Sequence, residues 1–246
     1  MVGDLAGQIP EVQALMNRVT DDGNVCGLIM TGSRARGVAT EHSDVDVYVV
    51  VREQRDWVTS RTKEIDLPVV TIDVLENIPT DPTQWWDRYS FVDAQVLLDR
   101  TGGALTPLVD AWATLSRDEV DSCLDTYLDG YINFLYRSLK AERDAQHFEQ
   151  RLDAVESVSW MLWVVFALFG RVRPYNKYLR HELSRRSLNR PGWRDLDLPQ
   201  HLERILDCGD CAAQRGVYRL IEKSARDLGH GHTIDAWGAE LELIRG

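Results

Sequence analysis

Two acidic residues are the first feature that asks for a chemical explanation. In TGSRARGVATEHSDVDVYVV (31–50), Asp44 and Asp46 stand one residue apart at the head of an apolar run. A strand alternates its side chains between two faces, so Asp44 and Asp46 share one surface and Val45, Val47 and Val49 share the other. Adjacent anions repel, and burying them unpaired is costly. A divalent cation answers both problems, and paired carboxylate oxygens suit Mg²⁺, which takes one or two carboxylates together with phosphate oxygens. The run PVVTIDVL (68–75) offers a third acid, with Asp73 on the face opposite Val70, Ile72 and Val74. If that run pairs beside 45–51, the three acids hold two Mg²⁺, or one Mg²⁺ and a general base.

The segment VCGLIMT (25–31) leads into TGSRARG. Gly32 lets the backbone turn and approach a ligand closely. Ser33 offers a hydroxyl and a backbone N–H, and a helix starting there would turn further N–H groups toward an anion. Arg34 and Arg36 lie in the same loop; the alternative for Arg36 is a salt bridge to Asp44 or Glu41. One loop for phosphate oxygens beside one strand for a metal is the equipment for phosphoryl or nucleotidyl transfer, where catalysis is mostly positioning and charge neutralisation.

The elements that must position these groups follow from periodicity. Residues 10–20 have helical spacing, and DDGN (21–24) is a turn. Val- and Ile-rich runs at 25–31, 45–51 and 68–75, with 94–99, read as strands. QRDWVTSRTKEI (54–65) reads as a short polar-ended helix, NIPTDPT (77–83) as a loop and WWDRYSF (85–91) as helical. Beyond about residue 104 the pattern is helical, over 119–146, 151–169, 200–209, 211–229 and 234–245, with 185–193 a loop. The expectation is an α+β chain: an N-terminal mixed β-sheet domain with flanking helices (1–110), then a C-terminal helical bundle (111–246).

Gly32-Ser33, ten residues, Asp44-Val45-Asp46 and then a later acid resemble the signature of the DNA polymerase beta-type nucleotidyltransferase superfamily. GSRARG…SDVDVYVV resembles its small bacterial branch, which includes the aminoglycoside adenylyltransferases. The resemblance covers residues 20–105 best. It implies that Asp44, Asp46 and Asp73 are the catalytic, metal-holding acids, and that Gly32 and Ser33, with Arg36, grip a nucleoside triphosphate. In the antibiotic-modifying members a lysine of the helical domain contacts the triphosphate, and Lys177 in RPYNKYL (173–179) is the matching position. The implied reaction is Mg²⁺-dependent transfer of a nucleoside monophosphate, AMP from ATP, to a hydroxyl of a small-molecule acceptor such as an aminoglycoside-like antibiotic, with release of pyrophosphate. Asp73, Glu142, Asp144 and Glu156 are the candidate general bases, and residue types do not choose among them. The competing readings are a transferase acting on tRNA or on a protein, as in toxin–antitoxin members, and a non-catalytic nucleotide-binding module.

Composition narrows the partners. A net charge of −11 argues against nucleic acid and fits a cationic acceptor. The longest apolar run, WMLWVVFALF (160–169), is ten residues against the ~20 that span a bilayer. The start, MVGDLAGQIP with its early Asp4, has no export signal, and the expected location is cytoplasmic. Cys208 and Cys211 have zinc-like spacing but only His230 and His232 as distant partners, so they read as a helix-start turn. Trp85, Trp86, Trp160 and Trp163 read as core.

Overall fold

In the computed structural model, which describes residues 9–246, the Val-rich runs form one mixed sheet of six short strands. Asp4 and the rest of the stretch read for an export signal lie outside the described residues. Helix α1 (Pro10–Val19) precedes β1 (Val25–Thr31), a single helical turn α2 (Gly32–Ala35) and β2 (Val45–Val51). Then come β3 (Ser60–Arg61), β4 (Ile65–Leu67), β5 (Val69–Thr71), the short helix α3 (Ile72–Glu76), a 3-10 stretch (Pro82–Phe91), β6 (Gln95–Asp99) and α4 (Leu105–Ala113). The strand order is β3-β4-β2-β1-β6, with β5 also pairing β2. β1 is antiparallel to β2 and β6, whereas β4 and β5 run parallel to β2.

Alternation along β2 decides what each sheet face packs against. Val45, Val47 and Val49 are buried with Val12, Leu15 and Val19 of α1, and with Trp57 and Leu67. On the opposite face Val50, Cys26 and Ile29 pack with Leu75, Phe91, Leu105, Val109 and Trp112. Burial of this apolar area is the main stabilising term. A buried arginine closes α4: Arg88 donates to the carbonyls of Ala111, Trp112 and Thr114, the unpaired acceptors that a helix C-terminus leaves.

The chain divides into two compact units between Thr114 and Leu115. The second unit is helical: α5 (Arg117–Arg143), α6 (His147–Leu168), α7 (Leu179–Arg185), α8 (Leu198–Cys208), α9 (Cys211–Asp227), α10 (Gly231–Asp235) and α11 (Leu241–Arg245). Ser116 and Glu119 cap α5 reciprocally, each side chain accepting from the other's backbone N–H. α5 and α6 pack closely because Gly130 faces the Trp160 ring; a Cβ there would lie 2.5 Å from it. Trp160 and Trp163 flank Tyr127, Trp163 stacking on it at 5.1 Å. Among the described residues, no helix is long and apolar enough to cross a membrane.

The mixed sheet followed by helices is as the periodicity predicts, but several elements differ. Residues 54–65 do not form a helix. Trp57 is buried, with its indole N–H donating to Asp22, and the Thr62 hydroxyl accepts from the N–H groups of Glu64 and Ile65, a local turn that competes with helix. The strand read over 68–75 ends at Thr71, and Pro68, which has no N–H to donate, separates β4 from β5. The helix expected over 85–91 is present as 3-10, but Trp86 is 64% exposed rather than core. The helices at Leu105–Ala113 and Leu179–Arg185 have no counterpart in the periodicity reading, and the single helix expected over 234–245 is broken into short turns.

Candidate active site

β2 brings its two acids to one end of the sheet. Asp44 immediately precedes the strand and Asp46 is its second residue, both half-buried beside fully buried Val45 and Val47. Arg34 fixes the approach to the strand, donating from Nε to the carbonyl of Asp44 at 3.2 Å and from Nη2 to that of Ser43 at 2.9 Å. Its role is to hold the backbone beneath the acid.

The Gly-Ser turn lies directly against this strand. Thr31 is the register partner of Asp46, and Gly32 follows with φ +69°. A Cβ on Gly32 would lie 1.9 Å from Asp46 Oδ2. Only glycine supplies both that backbone conformation and that clearance. Ser33 is buried within the turn α2, whose first N–H groups have no acceptor inside the helix. Arg36 is placed differently from a ligand contact. It is buried, donates to the carbonyls of Tyr89 and Ser90, and stacks over the Tyr89 ring at 4.6 Å. It ties the turn to the 3-10 stretch.

The third acid differs from the expectation. Asp73 lies in the first turn of α3, exposed. It follows Thr71, the register partner of Val51, and Val51 is five residues along β2 from Asp46. At a rise of about 3.3 Å per residue, that puts Asp73 some ~16 Å from the acidic end. The residue registered beside Asp46 is Asp66, on parallel strand β4. Register partners point to the same face, and Ile65 and Leu67 on either side of Asp66 pack with the α1-facing core as Val45 and Val47 do. Asp44, Asp46 and Asp66 therefore form the acidic end. The signal for it was in the sequence: Ile65-Asp66-Leu67 repeats the apolar–acid–apolar phase of Val45-Asp46-Val47.

A cation already spans this end. Arg61, registered with Asp66 on β3, places Nη2 3.6 Å from Asp44 Oδ2 and Nε 3.7 Å from Asp66 Oδ2. Among the described residues, no three His, Cys, Asp or Glu side chains are arranged to hold a metal as they stand. The donor set nevertheless fits a hard divalent cation: carboxylate oxygens alone, on neighbouring strands, with a guanidinium bridging two of them.

The remaining candidates lie in the helical unit. Lys177 sits on a 3-10 turn (Asn176–Tyr178), exposed, with Nζ 4.7 Å over the Tyr178 ring. Arg143 binds Asp144 through two hydrogen bonds, of 2.8 and 2.9 Å, and holds its carboxyl below the ordinary range, which weakens it as a base. Glu142 lies 3.5 Å from His147, and Glu156 is exposed. Cys208 and Cys211 are free thiols flanking the turn between α8 and α9.

Residues 13–90 match the sequence profile of the nucleotidyltransferase domain. No curated protein matches the chain. Among solved structures, a nucleotidyltransferase-like protein from Exiguobacterium sibiricum superposes with a TM-score of 0.48 at 13% identity, over 91% of this chain and 77% of that one. The profile match spans the part of the N-terminal unit that carries Gly32, Ser33, Asp44, Asp46 and Asp66, and to that extent this unit is similar to a nucleotidyltransferase domain.

Proposed function

We propose that the protein transfers a nucleoside monophosphate, AMP from ATP, to a hydroxyl of a small-molecule acceptor. The acceptor oxygen forms a bond to the α-phosphorus, the bond from that phosphorus to the β-bridging oxygen breaks, and pyrophosphate leaves. Asp44, Asp46 and Asp66 would hold Mg²⁺, which supplies charge neutralisation on the phosphate oxygens and orientation of the α-phosphate. Gly32 and Ser33 form the adjoining wall, where the backbone lies close enough to the acids for one ligand to meet both. The acceptor's proton passes to a carboxylate of the acidic end, for which Asp66 is the candidate.

The observation that carries this reading is the side-by-side register of Asp46 and Asp66 with Gly32 pressed against the Asp46 carboxylate. A net charge of −11 supports an aminoglycoside-like, cationic acceptor over a nucleic acid. The test is pyrophosphate release from Mg·ATP across a panel of hydroxylated small molecules, with wild type beside Asp46→Asn. An acceptor turned over by wild type and not by the variant supports the proposal. Equal turnover by both sinks it.

A further inference from the structure

The helical unit contains a cavity whose chemistry the transfer reaction leaves unused. Val155, Val158 and Leu162 on one face of α6, and Leu202 and Leu206 on one face of α8, wall a space of about 470 Å³. Spacings of three and four residues put each set on a single helix face. Val155 and Leu206 are 44% and 45% exposed, so the apolar wall continues to the cavity mouth and is covered by nothing in this unit. That volume lies within the ~300–1,000 Å³ of small-molecule pockets.

The rim is cationic. Arg173, Lys177 and Arg180 line it together with a single acid, Glu203, and Glu203 is already engaged by Arg180. Arg173 and Lys177 have no carboxylate partner among the described residues. Arg173 donates from Nη2 to the Asn176 side chain at 3.1 Å and lies 5.5 Å over the Trp163 ring. Its Nε is buried with no acceptor. Burial lowers its pKa, which Tyr127 only partly offsets. A desolvated guanidinium with an unsatisfied donor is costly to maintain, and an anion supplied by a ligand relieves that cost.

We infer that this cavity binds a small amphipathic anion: an apolar chain or ring lying between α6 and α8, with a carboxylate or phosphate head at Arg173 and Lys177. The argument stands apart from the transferase reading, because every residue in it lies in the helical unit and none belongs to the acidic end of the sheet.

Titration calorimetry on the full chain tests it, with decanoate as the probe, 1-decanol as its uncharged counterpart and ATP as competitor. Decanoate is expected to bind at one site, about tenfold more tightly than decanol, since a charge-assisted hydrogen bond outweighs a neutral one. Leu206→Glu, which places an acid on the exposed part of the wall without touching the core, is expected to weaken decanoate about tenfold through like-charge repulsion. Lys177→Ala is expected to weaken decanoate severalfold and leave decanol unchanged. The inference is overturned if decanol binds as tightly as decanoate, if Leu206→Glu has no effect, or if ATP competes with decanoate. Competition by ATP would assign the cavity to the nucleotide.

Discussion

The two units treat charge in opposite ways. At the end of the sheet, three carboxylates gather on one surface, and an exposed guanidinium stretches across two of them at 3.6 and 3.7 Å. In the helical cavity, Arg173 and Lys177 have no carboxylate partner among the described residues, the one lining acid, Glu203, being engaged by Arg180, and Arg173 carries a buried donor with no acceptor. Each arrangement is unfavourable in isolation and is resolved by a ligand of opposite sign: a cation at the sheet, an anion at the helices. The difference is also one of support. The acids ride on paired strands and are fixed by register, while the cations sit on a 3-10 turn and loop held by local hydrogen bonds such as Arg173 to Asn176.

Removing the acids should break the comparison most strongly. Asp46→Asn and Asp66→Asn should each lower the rate of pyrophosphate release by about a thousandfold, the scale on which transition-state charge stabilisation is lost. Asp73→Asn, on an exposed turn remote from the acidic end, should leave the rate within about twofold, because surface substitutions away from a site have small effects. Steady-state kinetics on an accepted substrate reads all three.

Gly32→Ala attacks the same end through the backbone. It requires a positive φ from a non-glycine residue and drives a methyl into Asp46 Oδ2. Denaturant unfolding should show a loss of about 2–4 kcal/mol, combining backbone strain with the clash.

The helical unit predicts a pH dependence. Burial pushes the Glu222 carboxyl up, but hydrogen bonds from Arg245 and Arg226 outweigh it and hold the group below its ordinary value. A depressed carboxylate stabilises the fold above its unfolded pKa, about 4.3, and that contribution is lost as pH falls through the folded value. Thermal denaturation should therefore show a Tm that is flat near neutral pH and falls below about pH 4. Glu222→Gln should lower the Tm at neutral pH and flatten the decline.

The smallest expected effect sharpens the comparison. If Arg61 stands where a metal has to sit, Arg61→Ala should tighten Mn²⁺ binding by about two- to fivefold, while costing under ~0.5 kcal/mol of stability, as exposed ion pairs do. Electron paramagnetic resonance counts free Mn²⁺ directly. Unchanged or weaker binding in Arg61→Ala would make the bridge incidental.

What the sequence revealed depended on how local the signal was. Asp44 and Asp46 were legible because alternation acts within one strand, and Gly32 because its turn is adjacent to that strand in space as well as in sequence. Asp66 left only a faint signal, the phase of Ile65-Asp66-Leu67: its strand is three residues long, ends at a proline, and gains meaning from parallel pairing with β2 twenty residues away. Asp73 had the better-looking apolar run, but Ile72–Glu76 turns helical once β5 ends. Arg36 has the sequence position of a phosphate contact and spends its guanidinium on backbone carbonyls instead, which residue type alone does not reveal. In the helical half, the long helices were legible from their periodicity, while the loop that carries Arg173 and Lys177 has no periodicity to read.

The central claim is that the acidic end comprises Asp44, Asp46 and Asp66 and exists to hold a divalent cation beside a nucleotide. Mn²⁺ titration of wild type, Asp66→Asn and Asp73→Asn, followed by electron paramagnetic resonance in the presence of a non-hydrolysable ATP analogue, tests it most directly. The account predicts that wild type and Asp73→Asn bind Mn²⁺ alike and that Asp66→Asn binds it at least about tenfold more weakly. Intact binding in Asp66→Asn with loss in Asp73→Asn would contradict it.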